Sequence, residues 1–347
     1  MFIVLINQQN KLKSAPMGLI PNYNMKNRSK MVTKIIDNIL DHDWDEFIIS
    51  SPHGSVFSKS TFLKALDVPH HKLFLELDGK TVASALIIKP DSPIFRAPFS
   101  YSMYQGISLA PLNGDIYKTV PLSLKIIEAF NSALSEKYTY LSFCQHHSFK
   151  DLRGFQWFNY HTPDLGQYDI KLHYTGIIKL NQYSSFEAYL NSIRNVRRQE
   201  YNKARRLNLF AAESDDPAEF ALLYKQTFQR QNIVVESDVI ARAIRIVESG
   251  ISEGFGRLVY CRDQDGMAHS VIFTLHDAKC MYYMFGATNP KYRSSGASTS
   301  LVLNSIKHAY ACKHNNFDMV GMNSPQRGSF KTSFNAEPAP YFTLSRT

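Results

Sequence analysis

The sequence predicts an α/β fold built from two tandem copies of one unit, each a twisted mixed sheet flanked by helices. Three observations carry this. At 347 residues the chain is long for a single core, and its 44% apolar content is ample for two. The same order of helical and strand patterns occurs twice, with matched spacing. A strongly basic segment separates the two occurrences.

Taken in order, helical spacing at Lys59–Leu66 precedes the strand pair KLFLELDGKTVASALII, in which Asp78-Gly79 is a hairpin turn signal. An aromatic strand region follows in PFSYSMYQGISL, then a helix near Ile116–Lys137 and the strand YTYLSF. The second copy begins with helical spacing at Pro217–Gln231 and the pair GRLVYCRDQDGMAHSVIFTL, turning at Asp265-Gly266. The strand CMYYMFGAT, a helix near Ser298–His314 and the strand FDMVGM complete it. The two turn glycines stand 187 residues apart, and the final strands, from Tyr138 and from Phe317, are offset by 179. The repetition is of pattern, without residue-level identity, and it suits a duplicated α/β unit. The expected division is a polar, Asn/Lys-rich leader over 1–30, a first domain over 31–180, a basic linking helix over 181–207 and a second domain over 208–347.

A net charge of +9 favours polyanionic partners such as nucleotides, nucleic acid or acidic head groups. Cys144, Cys261, Cys280 and Cys312 are widely spaced and form no CxxC pair, so neither a disulfide framework nor a structural metal site is expected. Reduced thiols fit a cytoplasmic protein. The opening MFIVLI is too short for a signal-peptide core, and no apolar run approaches the ~20 residues of a membrane helix. The absence of HExxH, GxSxG and GxxxxGK[ST] weighs against a zinc protease, a serine hydrolase and a P-loop NTPase.

Between the copies, a Ser184-x-x-Glu187 capping box and the apolar Phe186, Leu190 and Ile193 predict a helix. Arg194, Arg197, Arg198, Tyr201 and Arg205 recur at three- and four-residue steps, which puts four guanidinium groups and a phenol on one face, offset only by Glu200. Such a face is either solvated or a bidentate phosphate binder. Farther on, NPKYRSSGAST (Asn289–Thr299) lies where a strand hands over to a helix, a junction that aims unpaired N–H groups and the positive helix end at an anion.

The chain resembles the GNAT-type N-acyltransferases with two tandem acyltransferase folds, the Fem peptidoglycan aminoacyltransferases and their acetyltransferase-like relatives. The resemblance runs from about Asp43 onward and rests on Trp44–Leu66, on Ile193–Leu209 and above all on Tyr282–Phe334. It implies that an acceptor amine attacks an activated acyl carbonyl in a ternary complex, with no covalent enzyme intermediate. It also implies that Arg293-Ser294-Ser295-Gly296-Ala297-Ser298 grips the donor's pyrophosphate, matching [Gln/Arg]-x-x-Gly-x-[Gly/Ala] except at Ser298. Lys331 is then the acyl-transfer lysine, and because Phe330 stands where simpler relatives carry a tyrosine acid, that role falls to Lys331 or to water. Read from the residues themselves, Asp318, mid-strand among apolar neighbours, either hydrogen-bonds the adjacent turn or handles a proton, and at most one of His146 and His147, which follow the first domain's last strand, faces the substrates. Arg194, Arg197, Arg198 and Tyr201 would hold substrate phosphates.

The expected donor is acyl-CoA, acetyl-CoA first, with no metal. The acceptor is a phosphate-bearing or sugar-containing cell-envelope or polysaccharide precursor. Aminoacyl-tRNA is the alternative donor, favoured by the charge and the arginine face and disfavoured by the lack of a long coiled-coil arm. A third reading is a non-catalytic, basic nucleic-acid-binding module on a degenerate acyltransferase fold.

Overall fold

The computed structural model describes residues 33–89, 92, 95, 97–99, 101–230 and 237–346, so the expected leader lies outside the described residues. Four strands, β1 (Thr33–Ile36), β2 (His70–Leu77), β3 (Lys80–Ile88) and β4 (Ile107–Leu109), form an antiparallel sheet in sequence order. The β2–β3 turn has positive φ at both Asp78 and Gly79, the geometry a two-residue hairpin with right-handed strand twist requires. Helices α1 (Asp41–Ser50) and α2 (Ser60–Leu66) sit between β1 and β2, and α3 (Ile116–Lys137) links β4 to β5 (Leu141–Gln145).

The second half repeats this plan. After the short α4 (Arg153–Gln156), the strand β6 (Asp169–Lys179) and the helices α5 (Phe186–Ser192) and α6 (Asn195–Arg206) come β7 (Phe210–Glu213), α7 (Ala218–Arg230) and α8 (Ser237–Ser252). The strands β8 (Gly256–Arg262), β9 (Ala268–His276) and β10 (Cys280–Thr288) then run antiparallel beside β7. Helix α9 (Ala297–Ala311) crosses over to β11 (Asn316–Asp318), which lies parallel to β10, and α10 (Pro325–Thr332) and β12 (Glu337–Arg346) complete the described fold.

The large sheet has the order β5-β12-β6-β11-β10-β9-β8-β7. The strand that follows β5 in sequence, β6, therefore pairs with β11 of the second half, while the strand that follows β11, β12, pairs with β5 of the first. The exchanged strands also pair with each other over nine residue pairs, Glu337↔Ile177 to Ser345↔Asp169. Side-chain bonds stitch the halves further: Asp277 accepts from Val56 N at 2.9 Å, and Lys279 Nζ donates to Ser51 O.

Four expectations change. The linking segment is two helices, because the backbone is extended at Ile193 and Arg194, and the cap of α5 is Ser185, whose hydroxyl accepts from Ala188 N, rather than Ser184. The aromatic region PFSYSMYQGISL is a strand only over Ile107–Leu109. The strand expected in FDMVGM stops at Asp318, since Val320 (φ 52°) and Gly321 (φ 59°) turn into the left-handed region. A β-branched residue with positive φ is strained, at a cost of ~1–3 kcal/mol, and such strain gathers at functional sites.

Candidate active site

Asp318 ends β11 with its side chain fully buried. A carboxylate there must be satisfied by donors, and it is: Thr175 Oγ1 on β6 donates at 2.5 Å, Tyr104 from the first half at 2.7 Å and Val320 N at 2.8 Å. With three donors already spent on it, Asp318 is an anchor between the halves rather than a free base. Burial and the Asp318 charge hold the Tyr104 hydroxyl well above the usual tyrosine range, so it remains a donor.

Lys331 lies on α10. Only 9% exposed, it donates from Nζ to Val320 O and, at 2.8 Å, to Gly321 O. Those are the carbonyls of the strained turn, so Lys331 holds the turn and the turn holds the ammonium. Burial lowers its pKa to about 8, opposed by Asp318. Nζ has three hydrogens, leaving one beyond the two carbonyl bonds. It also stands 5.9 Å from the centre of the Tyr283 ring.

On the other side of Asp318, the Tyr104 ring packs edge-on against His146 (4.5 Å) and His147 (5.8 Å). The Nδ1 of His146 accepts from Ser148 N at 3.1 Å and pairs with Ser148 Oγ at 2.7 Å, and the ring is kept neutral by burial. His147 differs: neither ring nitrogen is hydrogen-bonded to a described residue, and it lines a cleft of about 820 Å³ with Ile177, Lys179, Asn316 and Glu337. Burial lowers its pKa below the usual 6.5 while Asp318 pulls it up, so the ring is neutral at pH 7 and has a carboxylate near to steady a proton it receives.

Beside this cluster run β10 and β11. Their parallel pairing covers only Cys280↔Asn316 to Tyr282↔Asp318, and a bulge displaces β10 between Tyr283 and Phe285. The strands part at Asp318, and α9 begins beyond the opening. Ser295 N reaches Tyr292 O, and Ala297 N reaches Ser295 Oγ at 3.3 Å, whereas Ser298 N and Thr299 N have no acceptor among the described residues. Arg293 and Ser294 are exposed, Ser298 is half-buried and Ser295 is buried.

Gly296 has φ +83°, and a Cβ there would meet Glu200 O at 2.2 Å. Its hydrogen side chain lets α9 close on the backbone of α6.

The arginine face is divided. Arg194 is the extended cap residue of α6 and is exposed. Arg197 turns inward: Nε donates to Ser333 Oγ at 2.7 Å, Nη1 to Glu200 at 2.6 Å, and the guanidinium lies 4.6 Å from the Phe330 ring. Glu200 also accepts from Thr299 Oγ1 at 2.5 Å. Arg197 thus joins α6, α9 and α10, and Phe330 is its packing partner, not a proton carrier. Arg198 is half-buried, with Nε unpaired among the described residues. Tyr201 packs on the core beneath α9, and Arg205 is exposed. Sequence reasoning missed Tyr104 and Thr175, which reach Asp318 only through packing of the halves and exchange of β6. Among the described residues no three His, Cys, Asp or Glu side chains gather as a metal site, and no helix is long and apolar enough to cross a membrane.

Residues 191–331, which span α6, the 293–298 loop and Lys331, match the family model described as an acetyltransferase (GNAT) domain. No curated protein sequence matches the chain. Among solved structures, FemX is similar at 13% identity and a TM-score of 0.63, covering 89% of this chain and 96% of its own. A tandem GNAT protein from the clavulanic acid biosynthesis pathway is similar at 10% identity and a TM-score of 0.51, with 91% and 98% covered. The C-terminal domain of a putative lysylphosphatidylglycerol synthetase from Agrobacterium fabrum gives 13% identity and a TM-score of 0.51, with 88% and 91% covered. The described residues thus share the fold of these proteins.

Proposed function

From a chain that is of GNAT type with two tandem acyltransferase folds, we propose an N-acyltransferase that moves an acyl group from acyl-CoA to an amine of a cell-envelope or polysaccharide precursor. The observation that carries this is the end of the β10–β11 pairing at Tyr282↔Asp318, with the unpaired Ser298 and Thr299 N–H groups at the start of α9 and Lys331 bonded to the Val320–Gly321 turn that follows β11. In this reading those N–H groups and Arg293 hold the donor's pyrophosphate at the positive end of α9. The acceptor enters through the cleft lined by His147. Its amine attacks the thioester carbonyl, and the amine proton passes to the neutral imidazole of His147. The free N–H of Lys331 stabilises the tetrahedral oxyanion, and the thiolate then leaves and is protonated.

Asp318 fixes the turn that positions Lys331 and steadies the charged His147. Phe330 and Arg197 hold α10 in place. A second reading, an aminoacyl-tRNA donor, is favoured by Arg194, Arg205 and Arg206, which are exposed and have no ion pair among the described residues. Mass spectrometry of the purified protein for co-bound CoA or tRNA separates the two, followed by calorimetry with acetyl-CoA. Saturable acetyl-CoA binding that Arg293→Ala weakens supports the proposal. Binding of tRNA with none of acetyl-CoA overturns it.

A further inference from the structure

The first half has its own counterpart of the donor opening. There β4, α3 and β5 take the places of β10, α9 and β11, and a cavity of about 310 Å³ lies among the end of β4, the first turns of α3 and the loop after β5. Its walls are mostly apolar, with Leu109, Leu112, Val120, Ile127 and Phe149. Phosphate does not suit it: α3 is entered through Asn113-Gly114-Asp115, which sets a carboxylate at the helix start where the second half has Arg293 to Ser298.

The Thr119 and Ser123 hydroxyls in the wall are spent on Asp115 O and Val120 O, which leaves His53 as its free polar group. Its Nδ1 accepts the N–H of Leu109 at 3.2 Å, which places the ring's proton on Nε2. No described residue accepts from that Nε2, and it is not among the buried atoms lacking a partner, so the N–H keeps some exposure on a residue that lines the cavity. The ring leans on Phe149 at 4.8 Å, and burial keeps it neutral by lowering its pKa to about 4. At the rim, Asp151 is neutralised by Arg153 at 2.6 Å, which leaves the Lys150 ammonium as the net charge. An apolar chamber with one oriented donor inside and one cation at its mouth matches an aliphatic tail that carries an anionic oxygen head.

We propose that this cavity is a second ligand site, separate from the acyl-transfer centre, and that it binds a medium-chain aliphatic carboxylate. The tail lies against Leu109, Val120 and Ile127, and the carboxylate is drawn by Lys150 and the His53 N–H.

The test is calorimetry and histidine NMR with sodium octanoate on the full chain, with octyltrimethylammonium as the charge-reversed control. One octanoate per chain is expected, with a shift of the His53 ring signals and no binding of the control. Lys150→Glu, an exposed change that leaves the fold alone, should weaken binding about tenfold, and Ser123→Trp, which fills the cavity, should abolish it. Acetyl-CoA affinity should be the same in both variants, so the outcome does not depend on the acyltransferase reading. Absence of saturable binding, or binding undiminished in Lys150→Glu, overturns the proposal.

Discussion

Lys331→Met tests whether the buried ammonium is kept at a cost to stability. The fall from an ordinary 10.5 to about 8 is a desolvation penalty of ~3 kcal/mol borne by the folded protein while the lysine is charged in both states. Methionine removes that penalty and also the hydrogen bonds to Val320 O and Gly321 O, at ~1 kcal/mol each. At pH 7 the variant should therefore equal or exceed wild type by ~1 kcal/mol. The sign of the pH dependence follows from proton counts. Between pH 8 and 10.5 the unfolded lysine is protonated and the folded one is not, so wild-type stability rises with pH through that window. The variant lacks this rise, and other titrating groups are common to both proteins and cancel. Urea midpoints at pH 7, 8, 9 and 10 should show the variant losing up to ~3 kcal/mol relative to wild type across the window. Parallel curves would mean that Nζ is not desolvated. If the ammonium stabilises the oxyanion, kcat and kcat/KM also fall together by ~10²–10³-fold, with acetyl-CoA affinity unchanged.

Gly296→Ala should destabilise by several kcal/mol in a melting experiment, from ~1–3 of left-handed strain and ~1–3 of overpacking against Glu200 O, and a normal melting temperature would contradict the close approach of α6 to α9. Arg293→Ala, at an exposed position, should leave the melt unchanged and weaken acetyl-CoA binding. His147→Gln should lower kcat and erase the acid limb of the rate profile, which in wild type falls as pH drops through a value below 6.5 because the protonated ring cannot accept the amine proton. An unchanged limb would move the base elsewhere. Tyr104→Phe removes one of three donors from a buried carboxylate and should cost ~1–3 kcal/mol, read as a lower urea midpoint at constant slope.

Local chemistry made much of the fold legible. Alternation and Asp-Gly turns located β2, β3, β8 and β9, and the run CMYYMFGAT coincides with β10 from Cys280 to Thr288. Helical spacing located α3 and α9, whose periodicity reflects one buried face. The capping signal was off by one residue because Ser184 and Ser185 both precede the same apolar run. What escaped was set by distance in sequence. The partners of β6 and β12 lie in opposite halves, and nothing in DIKLHYTGIIK or EPAPYFTLSR says which neighbour each will find. Lys331 stood out by its pattern, but its burial follows from α10 packing over the Val320 turn. Arg197 reads as a surface arginine until Ser333, Glu200 and Phe330 surround it.

The exchange of β6 and β12 also bears on how the chain is made. When β5 leaves the ribosome its outer edge has no partner, because β12 begins almost two hundred residues later. At ~5–20 residues per second that is roughly 10–40 s during which a hydrophobic strand edge stands open. The wait exposes the nascent first half to wrong pairing, including with β5 of a neighbouring chain on the same message. It also makes the Asp318–Lys331 cluster a late feature, since both are among the last residues to emerge before the strand that closes the sheet. A chain stalled before β12 would carry every described helix and an unclosed sheet, and it would be a natural client for chaperones that recognise unpaired strands.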